Sequence, residues 1–217
     1  DAAQATWIAV VGSDAAGDAV VALVAGSDVA AQAQASHALI DLTKRASTLD
    51  FTGVKAQRVL SGDKVTSAIR DYLLIGALLT AAEAVGSTSA CLAGIVDYLK
   101  TRKQFGKLIG SFQALKHPTV DIYVGMEHSR SLVYHASSEI DDGPLSTEAE
   151  VACRMAKAKA SDTIQYAGDR SVQFHGGFGF TWECDSSLFI RRAAWSQQQF
   201  GDAMHHRKRL APLLLDA

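Results

Sequence analysis

The sequence predicts an α+β protein, mainly α, with a partial antiparallel β-domain over residues 1–62 and an antiparallel helical bundle over 63–217. Two observations carry this. Before Gly53, short apolar runs are cut by clusters of turn residues; after Gly62, apolar residues recur at helical spacing. A third is composition: 48% of residues are hydrophobic and 20% charged, which supplies a real core and excludes global disorder.

The strand region reads in order. Thr6–Val11 is followed by the turn cluster Gly12–Asp18, and Ala19–Ala25 is an apolar run closed by Gly26-Ser-Asp28. Thr48–Thr52 then alternates and ends at Gly53. Short strands at close spacing predict an antiparallel meander, which three or four strands cannot cover alone. With a start directly before a strand, this predicts a piece of something larger. The first helix is expected over about Val65–Arg102, broken by Phe105-Gly106 and Gly110. The second, about Phe112–Asp141, carries Ile122, Met126, Val133, Ala136 and Ile140 at steps of 4, 7, 3 and 4, with Pro118 in its first turn or kinking it. Ser146-Thr-Glu-Ala-Glu150 opens a third, with a capping-box-like start, that reaches about Phe174. Helices over about Asp185–Phe200 and Ala203–Leu215 complete the bundle.

Several classes of function are excluded. A net charge of −2 argues against a nucleic-acid binder. Three cysteines, none in a CxxC pair, fit a reducing compartment. Tyr72–Val96 holds one charge, Glu83, but its glycines, serines and threonines favour a buried bundle helix over a membrane span. His205-His206 and His128/His135 have the wrong spacing for a shared ion, so no metal is expected.

Three candidate sites remain. In Thr101–Gly106, Arg102 at a helix end is suited to a bidentate phosphate grip and Phe105 to packing on a ring system, against the plainer reading of helix-end charges and a glycine cap. In Gln173-Phe-His-Gly-Gly-Phe-Gly179, two glycines permit close backbone approach, or form a simple turn. Glu83 is a candidate base, or the partner of an arginine on a neighbouring helix.

At these residues the chain resembles the acyl-CoA dehydrogenase family. Tyr98–Gln113 matches the family's Y-x-x-x-R-x-x-F-G-x-x-I-x-x-F-Q signature throughout, Gln173–Gly179 is similar to its Q-x-x-G-G-x-G segment, and Phe51-Thr-Gly-Val54 resembles the end of its β-domain. The resemblance implies FAD as cofactor, with Arg102, Gln104, Phe105, Gln113, Gln173, Gly176 and Gly177 as contacts, partly to a neighbouring subunit's flavin. It implies an acyl-CoA substrate, an electron-transfer flavoprotein or similar acceptor, a dimer of dimers, a cytoplasmic bacterial setting, and a missing N-terminal helical domain. It also exposes a departure. The family's usual glutamate base aligns with Phe200, and the alternative position, 26 residues before Arg102, is Gly76. Glu83 and Asp202 are the remaining candidate bases; otherwise the chain is the base-less subunit of a heteromeric dehydrogenase. Phe178–Glu183 and the Phe-Gly-Asp202 ending resemble actinobacterial, steroid-side-chain-type members.

Overall fold

In the computed structural model, which describes residues 4–30 and 33–215, the chain divides into two units, Asp1–Tyr72 and Leu73–Ala217. In the first, β1 (Trp7–Ser13) and β2 (Ala19–Ala25) form an antiparallel hairpin, with Ile8 opposite Val24 and Val10 opposite Ala22. The Asp14 carboxylate closes its turn by accepting from the amides of Ala16 at 2.9 Å and Asp18 at 3.0 Å. A helical turn, α1 (Gly26–Ala30), follows. β3 (Ala33–His37) pairs with β4 (Ala46–Leu49) in a separate two-stranded sheet.

The expected strand over 48–52 therefore ends early. Asp50 takes the Thr52 amide at 2.9 Å and turns the chain where alternation alone would continue it. β5 (Arg58–Ser61) pairs antiparallel with the free edge of β2, giving the order β1-β2-β5. It escapes the sequence reading because all four residues are exposed, so no alternation marks it.

The second unit begins inside α2 (Asp63–Thr101) and continues through α3 (Gln113–Ser138), α4 (Thr147–His175), α5 (Ser186–Gln198) and α6 (Ala203–Leu215). α2 is long and apolar enough to cross a bilayer, yet Leu74, Ala77, Leu78, Ala81, Cys91 and Ile95 are buried in the protein core. α3 runs unbroken through Pro118, which is its sixth residue, so the proline neither starts nor ends the helix. The Ser146 hydroxyl caps α4 by accepting from the Ala149 amide at 3.1 Å. The reciprocal half of a capping box is missing, because Ala149 stands where a glutamate would reach back.

α4 is the axis of this unit, and α3, α5 and α6 all pack on it. Its buried face is built from Ala149, Ala152, Ala156, Ala160, Ala167 and Gly168, small side chains that let neighbouring backbones approach. A Cβ at Gly168 would lie 3.0 Å from the Ile190 backbone of α5. One core joins Leu74, Leu78, Val133, Leu145 and Ile164; another joins Ile95, Leu99, Ile109, Ile122 and Phe174 beneath the end of α2. Cys91, Cys153 and Cys184 are free and buried, and burial pushes the thiols of Cys91 and Cys153 up to about 11, which leaves them inert.

Truncating the core should be costly and truncating the surface should not. Ile164→Ala, at a site 1% exposed, is expected to lose about 2–5 kcal/mol in urea unfolding, whereas Leu79→Ala, at a site 66% exposed, should stay within about 0.5 kcal/mol of the parent.

Candidate functional site

Two loci in the second unit gather the residues singled out in the sequence. The first is a cleft of about 760 Å³ where the end of α2 meets the end of α4. It is lined by Arg102, Gln104 and Phe105 from one side and Gln173, Gly176 and Gly177 from the other. Six of the seven expected cofactor-binding residues thus come together. Gln113, the exposed first residue of α3, does not line the cleft.

The local backbone explains the placement. α2 stops at Thr101, and the chain then folds back as a tight hairpin, β6 (Lys103–Gln104) against β7 (Lys107–Leu108). Phe105 and Gly106 are its two turn residues, at φ 53° and 76°, as a two-residue turn with left-handed centres requires. Gly106 is therefore a hairpin glycine, five residues past the helix, and not a helix cap. Phenylalanine is a poor residue for this conformation, and here its ring is also 88% exposed. Its neighbour is Phe112, edge-on at 6.2 Å.

Across the cleft, α4 ends where Gly176 takes φ 62°, and side chains added at Gly176 or Gly177 would enter open space. Both glycines keep the cleft wall free of side chains. The Arg102 guanidinium is exposed and has no ion pair among the described residues. An unpaired guanidinium, glycine backbone and aromatic edges suit a ligand combining an anionic group with planar rings.

Sequence reasoning missed two residues of this cleft. Tyr98 and His175 stack at 4.1 Å between ring centres. His175 Nδ1 lies 2.8 Å from the Ser171 carbonyl and 2.9 Å from the Ser186 hydroxyl, which fixes the ring. His175 stands in the quoted glycine segment, but no spacing links it to Tyr98.

The second locus is the turn between α5 and α6. Phe200 sits there at φ 56°; it and Phe105 are the only non-glycine residues at positive φ among those described. Its ring lies on Gly76 of α2: a Cβ built on Gly76 would be 2.3–2.6 Å from three ring carbons. The two positions where the family resemblance expects a base are thus in contact, and neither carries a carboxylate. The His206 ring bonds the Phe200 carbonyl at 3.0 Å through Nε2, while its Nδ1 is buried without a hydrogen-bond partner. Lys157, 1% exposed, reaches the same turn from α4. Burial pulls its ammonium down to about 8, with Asp202 acting the other way.

Neither candidate base is free. Glu83 accepts a hydrogen bond from Arg192 of α5, the partner that the plainer reading anticipates. Asp202 accepts from the His205 amide at 2.7 Å, capping α6. No cluster of metal-ligating side chains forms among the described residues.

Two measurements test this locus. Gly76→Ala should cost about 1–3 kcal/mol in denaturant unfolding, and combining it with Phe200→Ala should cost less than the two singles added, because the removed ring no longer meets the new methyl. His206 is pushed down to about 4 by burial and then by the charges of Lys157, Arg154 and His205. The unfolded chain binds this proton near 6.5, so the His206 contribution is present above that pH and is lost as pH falls toward 4. Thermal melts between pH 7 and 4 should show the loss, on the order of 2 kcal/mol, and His206→Gln should flatten it.

Residues 66–212 match the family model for the acyl-CoA dehydrogenase C-terminal domain. Acyl-CoA dehydrogenase IpdE2 of Mycolicibacterium smegmatis is 39% identical over 134 residues, covering 62% of this chain and 40% of that protein. Among solved structures, the ChsE4–ChsE5 complex of Mycobacterium tuberculosis superposes with a TM-score of 0.84 at 23% identity, over 98% of this chain and 56% of the other. A Tcur3481–Tcur3483 steroid ACAD variant gives 0.82 at 23%, again over 98% and 56%. These two likenesses establish the fold. The chain spans 40% of the length of IpdE2 and about half of each structure. By its helical unit and the family model that covers it, the chain belongs to the acyl-CoA dehydrogenase family.

Proposed function

We propose that this chain is a subunit of an FAD-dependent acyl-CoA dehydrogenase, which converts an acyl-CoA thioester to its trans-2-enoyl-CoA, and that it contributes flavin contacts but not the base. The observation that carries the second half is the Phe200 ring seated on Gly76. A phenyl group cannot accept the α-proton, and general-base catalysis is typically worth about 10²–10⁴-fold. A second subunit then supplies the carboxylate. The ChsE4–ChsE5 complex supports such a division, and the Tcur3481–Tcur3483 steroid ACAD supports a steroid side chain alongside a fatty acyl chain as substrate class.

In this reading Arg102 grips the pyrophosphate, with Gln173, Gly176 and Gly177 along the adenine–pyrophosphate half and Gln104 and Phe105 beside them. When bound, FAD supplies the hydride acceptor. The chain's own share is to hold an anion, offer the Phe105 and Phe112 rings to a planar ring system, and orient the ligand through a hairpin and a helix end. The acceptor of the electrons is an electron-transfer flavoprotein or a similar protein. Exposed Val120, Tyr123, Val124 and Tyr134 on α3 suit a surface that another subunit covers.

The test is to purify the chain with a base-bearing dehydrogenase subunit and measure flavin and turnover. Arg102→Ala should weaken flavin binding roughly tenfold to a hundredfold without loss of helicity by circular dichroism, and Arg102→Lys should recover only part. Unchanged flavin content would reduce Arg102 to a helix-end charge, and a colourless complex would favour a structural subunit. Glu83→Gln should leave turnover within a few-fold, since its carboxylate already serves Arg192. Abolished turnover with flavin retained would make Glu83 a relocated base.

A further inference from the structure

Lys157 lies outside the cleft, yet it ties α4 to the turn that carries the Phe200 ring. Its Nζ is 2.9 Å from the Ser161 hydroxyl, 2.9 Å from the Gly201 carbonyl, 3.1 Å from that of Ser196 and 3.3 Å from that of Gln197. Ser196 and Gln197 lie in the last turn of α5, where carbonyls run short of helical donors; that of Ser196 also accepts from the Gln199 amide at 3.3 Å. An ammonium offers three hydrogens, so four acceptors saturate it.

We infer that Lys157 is the positioning residue of the α5–α6 turn: its buried ammonium gathers the terminal carbonyls of α5 and the Gly201 carbonyl into one cap, and so fixes Phe200 with its ring on Gly76. Two features require such a device. Phenylalanine at φ 56° is intrinsically unfavourable and persists only where its surroundings determine it. The next residue is confined to glycine, since Gly201 stands at φ 96° and a Cβ there would lie 2.6 Å from the His205 ring. A packing role would be met by any side chain of similar length, whereas collecting carbonyl oxygens needs donors and positive charge. His206 holds the Phe200 carbonyl from the other side. The inference stands whichever subunit owns the base, because it concerns the turn and not turnover.

The experiment uses the 217-residue chain labelled with 4-fluorophenylalanine, the Phe200 line being assigned with Phe200→Leu. Lys157→Met keeps the length of the side chain and removes donors and charge. It is expected to preserve the far-ultraviolet dichroism, shift the Phe200 ¹⁹F line toward that of the free amino acid, and lower amide protection over residues 200–206 roughly tenfold to a hundredfold, with the α2 core unchanged. In Lys157→Ala, n-propylammonium should restore line and protection while equal sodium chloride does not. A Phe200 line and amide protection unchanged in Lys157→Met would overturn the inference. Should both variants fail to fold, the parent chain decides: one lysine ammonium should give a slowly exchanging ¹H–¹⁵N signal at pH 7 that moves in Ser161→Ala, and absence of such a signal would overturn the inference equally.

Discussion

The close approach of helices to α4 is the constraint on which the rest of this unit depends. Alanine and glycine along its buried face bring α5 near enough for Gly168 to touch the Ile190 backbone. That proximity lets one lysine side chain span from α4 to the carbonyls that end α5. The same helix, eighteen residues beyond Lys157, delivers His175 and the glycines to the cleft. Both loci therefore hang on one rod, and larger residues on its buried face would displace them together.

The electrostatics of the turn follow from that burial. A buried ammonium is expensive unless hydrogen bonds satisfy it, and here a hydroxyl and three carbonyls do so. Burial first, and then the charge of Lys157, keep His206 neutral and able to hold the Phe200 carbonyl through one nitrogen. Neutral imidazole beside charged lysine is thus a single arrangement; acid disturbs it by forcing a second positive charge into the same space.

How much was legible in the sequence differs by element. The five helices and the cap at Ser146 follow from spacing and from one hydroxyl, both local signals. The strand β5 and the hairpin after α2 do not, because exposed strands lack alternation and Phe-Gly is an unusual pair for a left-handed turn. Six cleft residues were expected from the family resemblance, and they meet because they cluster at two helix ends that the fold brings together. The stack of Tyr98 on His175 and the four bonds of Lys157 were not legible, since each joins residues far apart in sequence with no periodic trace. A lysine in an alanine-rich helix reads as a surface residue until tertiary contacts bury it.

The contact of Phe200 with Gly76 adds a last step. A glycine on the buried side of a helix could leave a gap, and a gap lined by apolar atoms costs stability. Instead the ring occupies the space that glycine at 76 leaves, and any Cβ there would collide with it. The two residues complement each other, so the absence of a carboxylate at both positions is a packed arrangement and not a vacancy. Reinstating a carboxylate at one position alone would leave the other unsuited: glutamate at 200 would lose the ring's contacts, and glutamate at 76 would meet the ring. The lack of a carboxylate at both positions and the packing between them are therefore linked in one pair of residues.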